Sequence, residues 1–81
     1  MQLMSTLGCH LCELAEAEIG PYIEPCQLQV EWLDIAEDEA LLARYETRIP
    51  VLLHPDSGLS LDWPFNGADL AGFIERCRSR A

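Results

Sequence analysis

The chain contains no lysine, and its first 43 residues contain no arginine either. That stretch holds nine carboxylates, whereas residues 44–81 hold five acids and five arginines. The formal net charge of −9 therefore lies wholly in the first half. A surface of that sign repels phosphate backbones and anionic lipids, which argues against nucleic-acid binding and against a membrane-surface role. No apolar run approaches transmembrane length. The beginning of the chain shows no positive n-region and no small-residue cleavage site, so a cytoplasmic, reducing location is expected, where structural disulfides are rare. A second close pair of Cys or His is missing too; His10, Cys26, His54 and Cys77 are scattered, and no zinc site is expected. Repeats, low-complexity tracts and linkers are absent. Eighty-one residues with a hydrophobic fraction of 49% suit one small globular domain, residues 1–81, expected to be monomeric.

What is there is concentrated at Cys9-His10-Leu11-Cys12. Two thiols at this spacing form a small-ring disulfide when they sit on the first turn of a helix. There, backbone N–H groups and the positive end of the helix dipole point at the first sulfur and favour its thiolate. A thiolate with a neighbour able to displace its partner is the minimum equipment for thiol–disulfide exchange. Met1 to Thr6 reads as an apolar strand and Gly8 permits a turn. Leu11, Leu14, Ala15, Ile19, Tyr22 and Ile23 then recur at helical spacing. Cys9 is the expected nucleophile and Cys12 the resolving thiol. His10 either supports the Cys9 thiolate when protonated or simply faces solvent. Glu13, Glu16, Glu18 and Glu24 read as a solvated helix face, with an electrostatic guide for a basic partner as the alternative.

Further along, Pro25 ends the first helix, and Leu28, Val30 and Trp32 alternate with polar residues up to Leu33–Ile35, as in a strand. Asp38 is a candidate N-cap for a second helix carrying Leu41, Leu42 and Tyr45. Arg44 and Arg48 either complement the end of that helix or, for Arg48, dock a carboxylate. Ile49 to Leu53 is continuously apolar, as a central strand covered on both faces would be. His54-Pro55-Asp56-Ser57-Gly58 is a turn, and Leu59 and Leu61 alternate in a hairpin partner. Trp63, Pro64 and Phe65 are expected to pack over the sheet edge. Asn66 to Asp69 form a loop and cap, and Leu70, Phe73, Ile74 and Cys77 make the stripe of a last helix. Cys26 and Cys77 read as small core residues. The order β-α-β-α-β-β-α calls for an α/β fold with a four-stranded mixed sheet flanked by helices. Strands separated by helices are expected to pair in parallel, and the final hairpin to be antiparallel.

This order, the early Cys-x-x-Cys and the proline opening the third strand resemble the thioredoxin fold, and within it the small bacterial glutaredoxin-like proteins of unknown function. The resemblance spans essentially the whole chain. It implies that Cys9 and Cys12 are the dithiol and that Ile49-Pro50 is a cis bond facing it. It implies further that Asn66-Gly67-Ala68-Asp69 is the helix start at which glutaredoxins hold the glutathione backbone. Arg48, Ile49, Pro50, Gly67 and Asp69 are accordingly the expected contacts for glutathione or peptide. Since Pro50 offers no N–H, the backbone of Ile49 is expected to stay free to pair with such a ligand. Three positions depart from the family: Thr6 replaces its lysine, His10-Leu11 its Pro-Tyr, and Arg48 its threonine. The resemblance implies no tightly bound cofactor, with glutathione as a co-substrate, and the departures predict that glutathione is used poorly. The expected function is thiol–disulfide oxidoreductase, acting on protein or glutathione mixed disulfides and recharged by a thioredoxin or glutathione system. The alternatives are a redox-sensitive, non-catalytic binding module and a metal or iron–sulfur carrier.

Overall fold

The computed structural model describes residues 1–80. Strand β1 (Gln2–Ser5) leads into helix α1 (His10–Ile23), followed by β2 (Glu31–Asp34), a 3-10 turn (Ile35–Glu37) and α2 (Glu39–Tyr45). Strands β3 (Val51–His54) and β4 (Leu59–Asp62) and helix α3 (Gly67–Arg80) complete the order. This is an α/β, thioredoxin-like arrangement: a four-stranded mixed sheet, ordered β2-β1-β3-β4, flanked by three helices.

Period-two alternation sorts the two central strands between two cores. Leu3 and Leu52 face α1 and α3, where they meet Ala15, Ile19, Phe73 and Cys77. Their neighbours Met4 and Val51 face the other way, against Ile35 and Tyr45 beside α2. Both faces of β1 and β3 are thus buried, which is why Ile49 to Leu53 carries no polar residue. The stripe Leu70, Phe73, Ile74 and Cys77 is buried as its spacing requires. Burial pushes the Cys77 thiol up, against a smaller lowering influence of the Ser57 hydroxyl. Cys26 departs from expectation: it packs against the rim of that core and is only partly buried.

The structure corrects three other expectations. β1 and β2 are parallel, but β3 runs antiparallel to β1, although a helix separates β3 from β2. The register explains it: Ser5 pairs with Asp34 and Met4 with Val51, so residues 35–50 leave and rejoin the sheet at the same end. The second strand begins at Glu31 rather than Leu28. Gln27 takes a left-handed turn at φ 54°, and Leu28 donates back to the Ile23 carbonyl, which holds this segment in a loop closing α1. Leu11, Leu14 and Ile23 are exposed, so the buried face of α1 narrows to Cys12, Ala15 and Ile19.

Asp38 caps α2 as expected, accepting from the amides of Ala40 and Leu41 at 2.9 and 3.2 Å. A seven-residue helix has little intrinsic stability. Asp38→Ala is therefore expected to cost about 1 kcal/mol in chemical denaturation, with early loss of amide-exchange protection over residues 39–45.

Candidate active site

β1 ends at Ser5, and three residues carry the chain to Cys9, with Gly8 taking the left-handed conformation at φ 76°. Cys9 is the N-cap of α1, and its sulfur does what a serine or aspartate oxygen does at other caps. The Cys12 amide donates to Cys9 Sγ at 3.2 Å. Cys9 and Cys12 are disulfide-bonded, with Cα atoms 5.3 Å apart. Their environments differ: Cys9 is partly exposed, whereas Cys12 is 3% exposed and rests on the core. Of the two residues, the outer one meets solvent and the inner one does not.

His10 is exposed, with Nδ1 3.7 Å from Glu13 Oε2. When protonated it pairs with that carboxylate, and both groups face solvent. Pro50 is buried behind a cis Ile49–Pro50 bond. The β1–β3 register, extended by one residue, sets Pro50 opposite Ser5, at the end of the sheet from which the dithiol emerges.

The other expected ligand residues are engaged within the fold. The Ile49 amide donates to the Tyr45 carbonyl at 3.1 Å, closing α2, so it is not free for an incoming peptide. Arg48 grips Asp62 through two hydrogen bonds of 2.8 and 3.2 Å and lies 5.2 Å over the Tyr45 ring. The hydrogen bonds to Asp62 raise the Arg48 pKa, more than offsetting the lowering from burial, so the guanidinium stays cationic but already has its carboxylate. Asp69 is likewise occupied. Its carboxylate accepts from the Asn66 amide at 3.1 Å, and Asn66 accepts from the Asp69 amide at 2.9 Å, a reciprocal cap on α3. Gly67 lies against Tyr22, whose hydroxyl would sit 2.5 Å from an added Cβ, so the glycine serves close packing.

A depression of about 170 Å³ opens beside the dithiol, walled by Ser5, Leu7, Cys9, Cys12, Glu16 and Trp32. The reading of the chain missed Ser5, Trp32 and Asp62 as site residues. Ser5 had a signal: it is the polar residue closing an apolar strand. Its Oγ is fully buried and has no partner among the described residues. An orphaned hydroxyl costs about 1–3 kcal/mol. Ser5→Ala is expected to raise stability by about 1 kcal/mol, read as a higher denaturant midpoint.

With the dithiol at a helix cap and a cis proline at the same sheet end, the comparisons with known proteins can be set against the geometry. The family model for a glutaredoxin-like domain (DUF836) matches residues 1–75. The chain belongs to this glutaredoxin-like family. It is also similar to the X-ray structure of a structural-genomics target protein from X. campestris. The two share 31% sequence identity over 93% of this chain and 95% of that one, with a TM-score of 0.79. Among curated proteins none matches. A glutaredoxin-like domain with paired cysteines at bonding distance fits a thiol redox role.

Proposed function

We propose that this glutaredoxin-like chain is a thiol–disulfide oxidoreductase in which Cys9 attacks and Cys12 resolves. The observation that carries the reading is the asymmetric pair: a partly exposed sulfur receiving a helix N-terminal amide, bonded to a buried sulfur one turn on. In the reduced protein that amide and the helix dipole favour the Cys9 thiolate. The thiolate attacks one sulfur of a substrate disulfide. A Cys9–substrate bond forms, the substrate's S–S bond breaks, and one substrate thiol leaves. Cys12 then gives up its proton and attacks Cys9 Sγ, releasing the second substrate thiol. Two electrons and two protons have passed from the dithiol to the substrate, and the protein is left with the Cys9–Cys12 disulfide. An external thiol reductant, glutathione or a thioredoxin-type dithiol, returns it to the reduced state by the reverse exchange.

A single-turnover experiment tests this. Reduced protein is mixed with a small uncharged disulfide such as 2-hydroxyethyl disulfide, and the products are quenched with acid. Two thiols released per chain, with Cys9–Cys12 oxidised on peptide mapping, are expected. Release of no thiol, or oxidation mapped to Cys26 and Cys77, would overturn the reading.

Glutathione is expected to be a poor partner. It is anionic near neutral pH and approaches beside Glu13 and Glu16, and Arg48, the cation nearest to Pro50 in sequence, is already paired with Asp62. The rate with glutathione as reductant is expected to rise with ionic strength as this repulsion is screened. A rate falling with salt would mean that a cation receives the tripeptide after all.

A further inference from the structure

The depression beside the dithiol is not isolated. It shares Leu7 and Trp32 with a second depression of about 450 Å³ between β2 and the beginning of α2. It shares Glu16 and Trp32 with a third, of about 250 Å³, between α1 and β2. Together they form a track that leaves Cys9 and runs past Trp32, along a β2 edge paired on one side only. Its surface is apolar where it meets the sulfurs. Leu7 is 81% exposed and Trp32 40%. Large apolar side chains gathered around a reactive sulfur mark a contact surface.

The polar lining has one sign. Glu13, Glu16, Asp34, Glu37 and Asp38 border the track, and among the described residues no arginine or histidine lines it. An independent feature points to a ligand here: the buried, unpartnered Ser5 hydroxyl in the wall of the first depression, a donor without an acceptor. The opposite approach, over Pro50, offers fewer free polar groups to a ligand, because the Ile49 amide and the Arg48 guanidinium are both engaged.

We propose that this track is the docking site for the protein substrate, and that the substrate is an extended segment carrying basic residues and an apolar side chain next to its disulfide-bonded cysteine. The apolar residue packs on Leu7 and Trp32, the basic residues face the carboxylates, and the cysteine meets Cys9. The proposal rests on the oxidoreductase reading for its chemistry but not for its recognition. A second copy of this chain is the wrong occupant, since it brings the same acidic surface and a net charge of −9. Glutathione has the wrong charge as well.

Binding can be measured without thiol chemistry. Two fluorescent peptides of equal length carry serine in place of the central cysteine, one built on arginine and leucine, the other on glutamate and leucine. Each is titrated with the oxidised full chain and read by anisotropy. The arginine peptide is expected to bind at least about tenfold tighter at about 0.01 M ionic strength, and this advantage should collapse near 1 M, where the screening length falls to roughly 3 Å. Trp32→Ala should weaken the arginine peptide severalfold. The triple variant Glu13→Gln, Glu16→Gln, Glu37→Gln should remove most of the discrimination; Asp34 and Asp38 are kept because both cap helices. An equal charge change outside the track, Glu46→Gln with Asp56→Asn and Glu75→Gln, should preserve it. Equal binding of the two peptides at low salt would overturn the proposal. So would equal losses in the two triple variants, which would reduce the effect to net charge, or a dimer that the arginine peptide fails to compete away. Failure here with thiol release intact leaves the oxidoreductase reading standing, and the reverse result strikes that reading alone.

Discussion

Cys9→Ser is expected to lower disulfide exchange to the uncatalysed background, a loss of more than about a thousandfold for a group that forms the covalent intermediate. The serine keeps the cap, since its Oγ accepts the Cys12 amide at least as well as sulfur does. Stability should therefore hold while chemistry disappears, and a denaturation curve beside the single-turnover assay separates the two. Cys12→Ser should behave differently. Cys9 can still attack, but nothing displaces the substrate from it, so the protein accumulates as a mixed disulfide visible by mass spectrometry. Turnover in Cys9→Ser comparable to the parent would remove Cys9 from the mechanism. Trapped adducts in Cys9→Ser, with none in Cys12→Ser, would exchange the two roles.

Phe73→Ala is expected to be the most damaging substitution outside the dithiol. Phe73 is fully buried in the core that Leu3, Ala15, Ile19 and Leu52 form between the sheet and the two long helices. Truncating a buried Phe costs about 3–5 kcal/mol. A domain of this size has roughly 4–12 kcal/mol in all, at about 0.05–0.15 kcal/mol per residue. The variant should lose at least about a quarter of its stability, with a large fall in the denaturant midpoint. Leu42→Ala is the contrast. Leu42 is an exposed residue of α2, and its truncation should cost well under 1 kcal/mol. Comparable losses for the two would mean that α2 packs more deeply than the structure shows.

Features written into neighbouring residues were legible in the sequence. The helical stripe of α3, the two-sided burial of Val51 and Leu52, the Asp38 cap and the dithiol at a helix start all depend on spacings within one element. What was not legible depends on a partner far along the chain. Arg48 could not announce Asp62, fourteen residues away at the end of β4. The direction of β3 follows from which end of the sheet residues 35–50 return to, and no local pattern encodes that. Leu11 and Leu14 have helical spacing, yet the buried face of α1 is narrow and leaves them outside. The apolar pattern could not distinguish residues kept for the core from residues left on the surface beside Cys9.

The core that holds Phe73 joins the two ends of the chain: one face of the sheet is covered by α1 and finished only by α3. On a ribosome, α3 emerges roughly 2–9 s after α1 at about 5–20 residues per second. Until it arrives, Leu3 and Leu52 have half a roof, and the core that α1 rests on is unfinished. The nascent chain thus presents Cys9 and Cys12 before the fold can tell them apart. Selective reactivity at Cys9 is a property of the closed core, acquired only once α3 has joined α1 on the sheet.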